Sequence, residues 1–225
     1  MTSAVVLLSG GIDSSTLLHY VSRTLGIETI YALSFDYGQR HSRELQAAAA
    51  QATAVGVHEH RSLDICGFGG LTAKGSVLTR PDADIPDLAD ILEPDREQPP
   101  TYVPNRNMVL LSLAAAYAEA HAVHDVYYGA QAQDEYGYWD CTTDFLERIN
   151  TLLALNRKQL ITIHAPFVSK SKADVVRIGL ELGVNYAETW TCYSGGDQPC
   201  GRCPSCVERA QAFAHTGQSD PLLCT

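Results

Sequence analysis

Two groups of residues in this 225-residue chain have the types and spacing that chemistry requires. The first is the string Ser9-Gly10-Gly11-Ile12-Asp13-Ser14-Ser15, set between the apolar run Ala4–Leu8 and the helix-like Thr16-Leu17-Leu18. It reads as a tight turn from a buried strand into a helix start. Glycines there let backbone N–H groups approach a ligand, and the helix start supplies unpaired donors with positive potential. Such a turn suits a pyrophosphate. It lacks the lysine of G-x-x-x-x-G-K-[ST] and is not G-x-G-x-x-G. Asp13 can serve there as a ligand for Mg²⁺, a helix N-cap, or both. The second group is Cys192, Cys200, Cys203 and Cys206, separated by seven, two and two residues. Two-residue spacings turn successive thiolates toward one tetrahedral centre, and four sulfurs without histidine suit a closed structural Zn²⁺ site. An iron–sulfur cluster is the alternative reading.

The elements that must position these groups follow from the hydrophobic pattern. Strands are expected over Ala4–Leu8, Thr29–Leu33, Val57–Leu63, Val123–Tyr128 and Leu160–His164. Helices are expected after Asp13, over Ser42–Val55, Asn107–Ala120, Cys141–Asn156 and Lys172–Leu182, and finally over Val207–His215. This alternation implies an α/β fold with a doubly wound parallel sheet. Residues 74–104 carry six prolines and read as a flap or long loop. The expected organisation is a main domain over 1–190, a cysteine module with its closing helix over 191–215, and a loose tail over 216–225.

Composition bounds the function. A formal charge of −10 argues against broad nucleic-acid binding, which needs a dense Lys/Arg surface, so no direct nucleic-acid partner is expected. The longest apolar stretch, Val109–Ala118, is too short to cross a bilayer, and a cytoplasmic enzyme is expected.

The string S-G-G-I-D-S-S resembles the PP-loop of the N-type ATP pyrophosphatases, which cleave ATP between its α and β phosphates. Further strings sharpen the resemblance: D-Y-G-Q-R-H at Asp36–His41, T-Y-V-P-N-R-N at Thr101–Asn107, G-Y-W-D-C at Gly137–Cys141, S-K-A-D at Ser171–Asp174 and T-C-Y at Thr191–Tyr193. With them the chain resembles the 7-cyano-7-deazaguanine synthase family over nearly its whole length. That resemblance implies a PP-loop fold with a small zinc module, and ATP, Mg²⁺ and Zn²⁺ as cofactors. It also implies a 7-deazaguanine carboxylic acid and ammonia as substrates, and a homodimer. It assigns Ser9, Gly10, Gly11, Asp13, Ser14 and Ser15 to a pyrophosphate cradle. Arg40 and Arg106 are candidates for pairing with phosphate or carboxylate oxygens, and Lys172 for neutralising the leaving pyrophosphate. Asp134 or Asp140, with Tyr138, are candidates for reading the base. In the implied reaction the acid is adenylated, ammonia gives the amide, and a second ATP drives dehydration to the nitrile.

Departures in two segments bear on the product. The family's substrate segment usually resembles D-[FY]-S-G-Y-P-D-C-R, and here Glu135, Tyr136, Trp139 and Thr142 replace the aromatic residue, serine, proline and arginine. The usual V-P-G-R-N has become Val103-Pro104-Asn105-Arg106-Asn107. The nucleotide end is kept and the substrate end altered, which leaves open transfer of the acyl group to a protein amine, as in antiviral relatives. Other readings are a different PP-loop amidotransferase, a tRNA-modifying adenylating enzyme, and a zinc-stabilised module that binds ATP without releasing AMP.

Overall fold

The computed structural model describes residues 2–39, 43–80, 82–93, 98–132 and 138–223. Five parallel strands, β1 (Ser3–Leu7), β2 (Thr29–Asp36), β3 (Glu59–Asp64), β4 (Asp125–Tyr127) and β5 (Thr162–His164), form one sheet in the order β3-β2-β1-β4-β5. The helices are α1 (Ile12–Arg23), α2 (Arg43–Val55), α3 (Cys66–Thr72), α4 (Arg106–Ala120), α5 (Thr143–Leu153), α6 (Lys172–Glu181) and α7 (Pro204–Thr216). The chain winds outward from β1 to β3, then returns to the other side of β1 with β4 and β5. Order reverses between β1 and β4, and in such sheets ligands bind outside the carboxyl ends of the strands at that point.

Alternation along β1 explains why both faces of the sheet are covered. Ala4, Val6 and Leu8 join Leu17, Leu18, Val175, Phe167 and Phe213 in one apolar layer. Val5 points the other way, into Leu33, Leu111, Ala114, Val126 and Ile163. Side chains with period two fill two cores, the expectation for a central parallel strand.

Helix ends depart from the sequence expectation in instructive ways. The helix expected from Cys141 begins at Thr143, because Thr142 caps it by accepting the Phe145 N–H at 3.1 Å while a 3₁₀ turn occupies Trp139–Cys141. The short helix α3 was not expected, since Cys66-Gly67-Phe68-Gly69-Gly70 is poor in helix formers. Residues 74–104 form no strand or α-helix among those described, in keeping with a loop, and carry a 3₁₀ turn at Leu88–Asp90.

Up to Leu223, the last residue described, the segment expected to be a loose tail is tied down. Asp220 is buried and accepts two hydrogen bonds from the Arg209 guanidinium, from Nε to Oδ2 at 2.7 Å and from Nη2 to Oδ1 at 2.8 Å. Arg209, itself 3% exposed, also donates to Thr189 Oγ1 and the Tyr186 carbonyl. This pair fastens α7 and the tail to the residues after α6. No helix among the described residues is long and apolar enough to cross a membrane.

Candidate functional site

The turn after β1 is shaped by its neighbours. Gly10 has φ +81, and a Cβ on it would strike the Glu44 carbonyl oxygen and lie 2.5 Å from the Ala48 amide nitrogen, so glycine alone lets α2 pass this close. Ser9 and Ser14 hydroxyls meet at 2.9 Å, and Ser14 Oγ also accepts the Ser9 N–H at 3.1 Å. These bonds hold the loop in a curl. Gly11 sits at the N-cap of α1 with no side-chain cap, which leaves the first-turn N–H groups facing outward. Across the switch point the loop after β4 presses close: a Cβ on Gly129 would lie 3.2 Å from the Ser14 amide nitrogen.

Above this floor lies a cavity of about 600 Å³. Ser9, Gly11, Ile12, Asp13 and Ser14 line its base, and Leu7, Leu33, Phe35, Leu110 and Tyr128 form an apolar wall. Arg106, Tyr138 and Lys172 also reach it, so three elements far apart in sequence converge on one space. Of the residues expected in the cradle, Gly10 shapes the turn from behind, and Ser15 is fully buried on the inner side of α1, away from the cavity. Arg40 and Asp134 lie outside the described residues.

Lys172 is the first residue of α6, and its placement has a local cause. Ser171 caps the helix by accepting the Asp174 N–H, while the Asp174 carboxylate accepts from Ser171 in return, a complete capping box. The lysine is 8% exposed, with Nζ 3.4 Å from Asp13 Oδ2 and 3.2 Å from Glu208 Oε2. Arg106 opens α4 behind Asn105, whose φ of +56 and ψ of 22 are left-handed. Asparagine tolerates that conformation better than other side chains, which explains why it can stand where glycine is usual. Tyr37, Asp140, Tyr193 and Tyr138 surround Arg106 and raise its pKa against the lowering effect of burial, keeping it a cation.

Asp140 and Tyr138 part company. Tyr138 lines the cavity, and its hydroxyl meets Thr101 Oγ1 at 2.9 Å. Asp140 is buried behind Arg106 and accepts the Asn107 N–H at 3.2 Å, so it supports the start of α4 and does not line the cavity. Trp139 and Thr142 do not line it either; the Trp139 indole donates to Tyr102, and Thr142 is a helix cap.

Sequence reasoning missed two acids on the cavity wall, Glu44 and Glu208. Glu44 is carried by α2, and its carboxyl is pushed up to about 7 by burial, with Arg106 opposing and Cys192 adding to the rise. The only sequence signal was its place three residues after the D-Y-G-Q-R-H string.

The four cysteines come together. The Sγ atoms of Cys192, Cys200, Cys203 and Cys206 all lie within 4.8 Å of one another, with Cys200 and Cys206 at 3.9 Å. Thiolates around a tetrahedral ion with bonds of about 2.3 Å stand about 3.8 Å apart, so the cluster can hold a metal. The Cys200 and Cys203 backbone N–H groups donate to the sulfurs of Cys192 and Cys200, which favours thiolates. Hydrogen bonds from Cys203 and Cys206 hold the Cys192 thiol low. The cluster also belongs to the cavity's frame. Trp190 donates its backbone N–H to the Gly10 carbonyl at 2.9 Å, and Thr191, Tyr193, Pro204, Ser205 and Glu208 line the space.

Comparison with known proteins bears on the fold and the family. The NMN synthetase of Francisella tularensis superposes with a TM-score of 0.51 at 15% identity, covering 96% of this chain and 77% of that one. The U34-tRNA thiolase NcsA of Methanococcus maripaludis, with its [4Fe-4S] cluster, superposes at 0.52 and 13% identity, covering 96% and 65%. At such identities these likenesses speak for the fold alone, which is the PP-loop type. Two curated relatives are far nearer in sequence, both named 7-cyano-7-deazaguanine synthase. That of Marinomonas sp. (strain MWYL1) is 43% identical, covering 97% of this chain and 96% of the relative. That of Thermosynechococcus vestitus is 46% identical, covering 97% and 94%. The profile of one family, queuosine biosynthesis protein QueC, matches residues 3–217, and the chain therefore belongs to the QueC family.

Proposed function

We propose that this protein is an ATP-dependent ligase that adenylates 7-carboxy-7-deazaguanine, aminates it with ammonia and dehydrates the amide to 7-cyano-7-deazaguanine. The observation that carries the reading is the convergence of Asp13, Lys172 and Arg106 on one cavity over the open N-terminus of α1, in a chain of this family.

In this reading the first-turn N–H groups of α1, with Ser9 and Ser14, bind the β and γ phosphates, each charge-assisted bond contributing about 1.5–3 kcal/mol. Asp13 holds Mg²⁺, which neutralises phosphate oxygens when bound. Lys172 turns its ammonium to the departing pyrophosphate. Arg106 offers a planar pair of donors to the substrate carboxylate or to the α-phosphate. The apolar wall of Leu7, Leu33, Phe35 and Leu110 suits the adenine ring. These groups act by positioning and by stabilising negative oxygens in a space screened from water. The four cysteines take Zn²⁺ as a closed site with no open position, so the ion serves structure. The protein works as a homodimer in the cytoplasm.

Acyl transfer to a protein amine finds no support in Trp139 and Thr142, since neither altered residue touches the cavity. The test is incubation with 7-carboxy-7-deazaguanine, Mg-ATP and ammonium, read by mass spectrometry. Nitrile with AMP and pyrophosphate is expected. Amide or adenylate without nitrile would move the reading to another amine acceptor, and absence of AMP would refute the substrate.

A further inference from the structure

Lys172 is shared between two carboxylates that line the cavity from different elements. Asp13 Oδ2 is 3.4 Å from Nζ and Glu208 Oε2 is 3.2 Å away, and the lysine side chain is 10% exposed. Asp13 belongs to the loop after β1, whereas Glu208 belongs to α7. The first turn of α7 is set by the cysteine cluster: Cys203 is its N-cap, Pro204 its first residue, and Cys206 lies two residues before Glu208. Arg209, the next residue, is locked by Asp220, Thr189 and Tyr186. Glu208 is thus held on both sides by fixed neighbours while its own side chain remains 41% exposed.

An ammonium 3.4 Å from a carboxylate competes with a divalent cation for the same oxygens. A second carboxylate within reach of Nζ weakens that competition by sharing the charge of the ammonium. We propose that Glu208 is a positioning residue that draws Lys172 away from Asp13 and so leaves the Asp13 carboxylate open to the divalent cation that accompanies ATP. The cysteine cluster then does more than hold the fold together, because it sets the helix turn from which Glu208 acts. This inference rests on the proposed role of Asp13 as a Mg²⁺ ligand.

The test is a binding measurement that needs no turnover. The affinity of α,β-methylene-ATP is measured by calorimetry across a Mg²⁺ series, and the Mg²⁺ midpoint is compared among variants. Glu208→Gln keeps shape and removes charge, and it should raise the midpoint about tenfold. Glu208→Asp should recover part of the effect. In a Lys172→Met background the same Glu208→Gln change should leave the midpoint where Lys172→Met put it, because the lysine through which Glu208 acts is gone. An unchanged midpoint in Glu208→Gln overturns the inference. So does an equal shift in both backgrounds, which would mean a general loss of negative charge. Asp13→Asn separates the underlying reading: if it too leaves the midpoint unmoved, the Mg²⁺ role of Asp13 is wrong and the inference falls with it.

Discussion

Removing the partner of Arg209 should expose how the last turn of the chain holds the cavity together. In Asp220→Ala the guanidinium, 3% exposed in the native chain, should keep its bonds to Thr189 and Tyr186 and lose its countercharge. A buried ion pair broken on one side costs about 3–5 kcal/mol, since the remaining charge is desolvated without compensation. For a domain of this length each kcal/mol moves Tm by about 2–4 °C, so a drop of roughly 6–20 °C is expected in a thermal scan. The double change Arg209→Met with Asp220→Leu should recover most of that loss, because two apolar side chains of similar volume replace a satisfied pair at little net cost. The drop should also persist at high salt, where exposed pairs are screened and buried ones are not. Since Arg209 adjoins Glu208, loosening α7 should weaken ATP binding in the single variant before the domain melts. A single-variant shift below about 2 °C would refute the reasoning, as it would mean that Asp220 is solvated and the tail undocked.

Three further outcomes can be checked. Gly10→Ala places a methyl against the backbone of α2 at a left-handed φ, so it should cost about 2–4 kcal/mol and abolish ATP binding by calorimetry, even at temperatures where the protein stays folded. Glu44 has a folded-state pKa of about 7 against an ordinary 4.5, so its burden is absent below about pH 4.5, grows between those values and is complete above 7. Glu44→Gln should therefore stabilise the protein by up to about 3 kcal/mol at about pH 8 and little at about pH 5, and an equal gain at both would show that the carboxyl does not titrate as described. Stripping the proposed metal with a chelator, or replacing Cys206 by Ser, should cost more than the domain's own stability of about 5–15 kcal/mol can absorb locally. Circular dichroism should lose the signal of α7, and ATP affinity should fall with it.

Much of the frame was readable in the chain. The apolar run at Ala4–Leu8, the glycine turn after it and the alternation of strands and helices led to a parallel sheet, because period and punctuation are local properties. Lys172 at a helix start was readable too, since Ser171 and Asp174 form a capping box whose members are three residues apart. Boundaries were less so: α5 starts after Thr142 because a side-chain cap and a 3₁₀ turn outcompete the helix for Trp139–Cys141. The left-handed backbone at Asn105 was invisible as such, although it turns an apparent departure into a tolerated replacement.

The fold class, the glycine turn after β1 and the grouping of four sulfurs are all legible locally, since each depends on residues close together along the chain. Which charges share a space depends on how distant elements pack. Asp140 and Glu44 are equally acidic in sequence, yet one is walled off behind Arg106 and the other faces the cavity. The cysteine module, legible as a separate appendage, proves to be a wall of the site, tied to the turn after β1 by the bond from Trp190 to Gly10 and reaching Lys172 through Glu208. The first of those contacts joins residues 180 positions apart and the second residues 36 apart. Their energy depends on packing of α7 against α6, which no local pattern encodes.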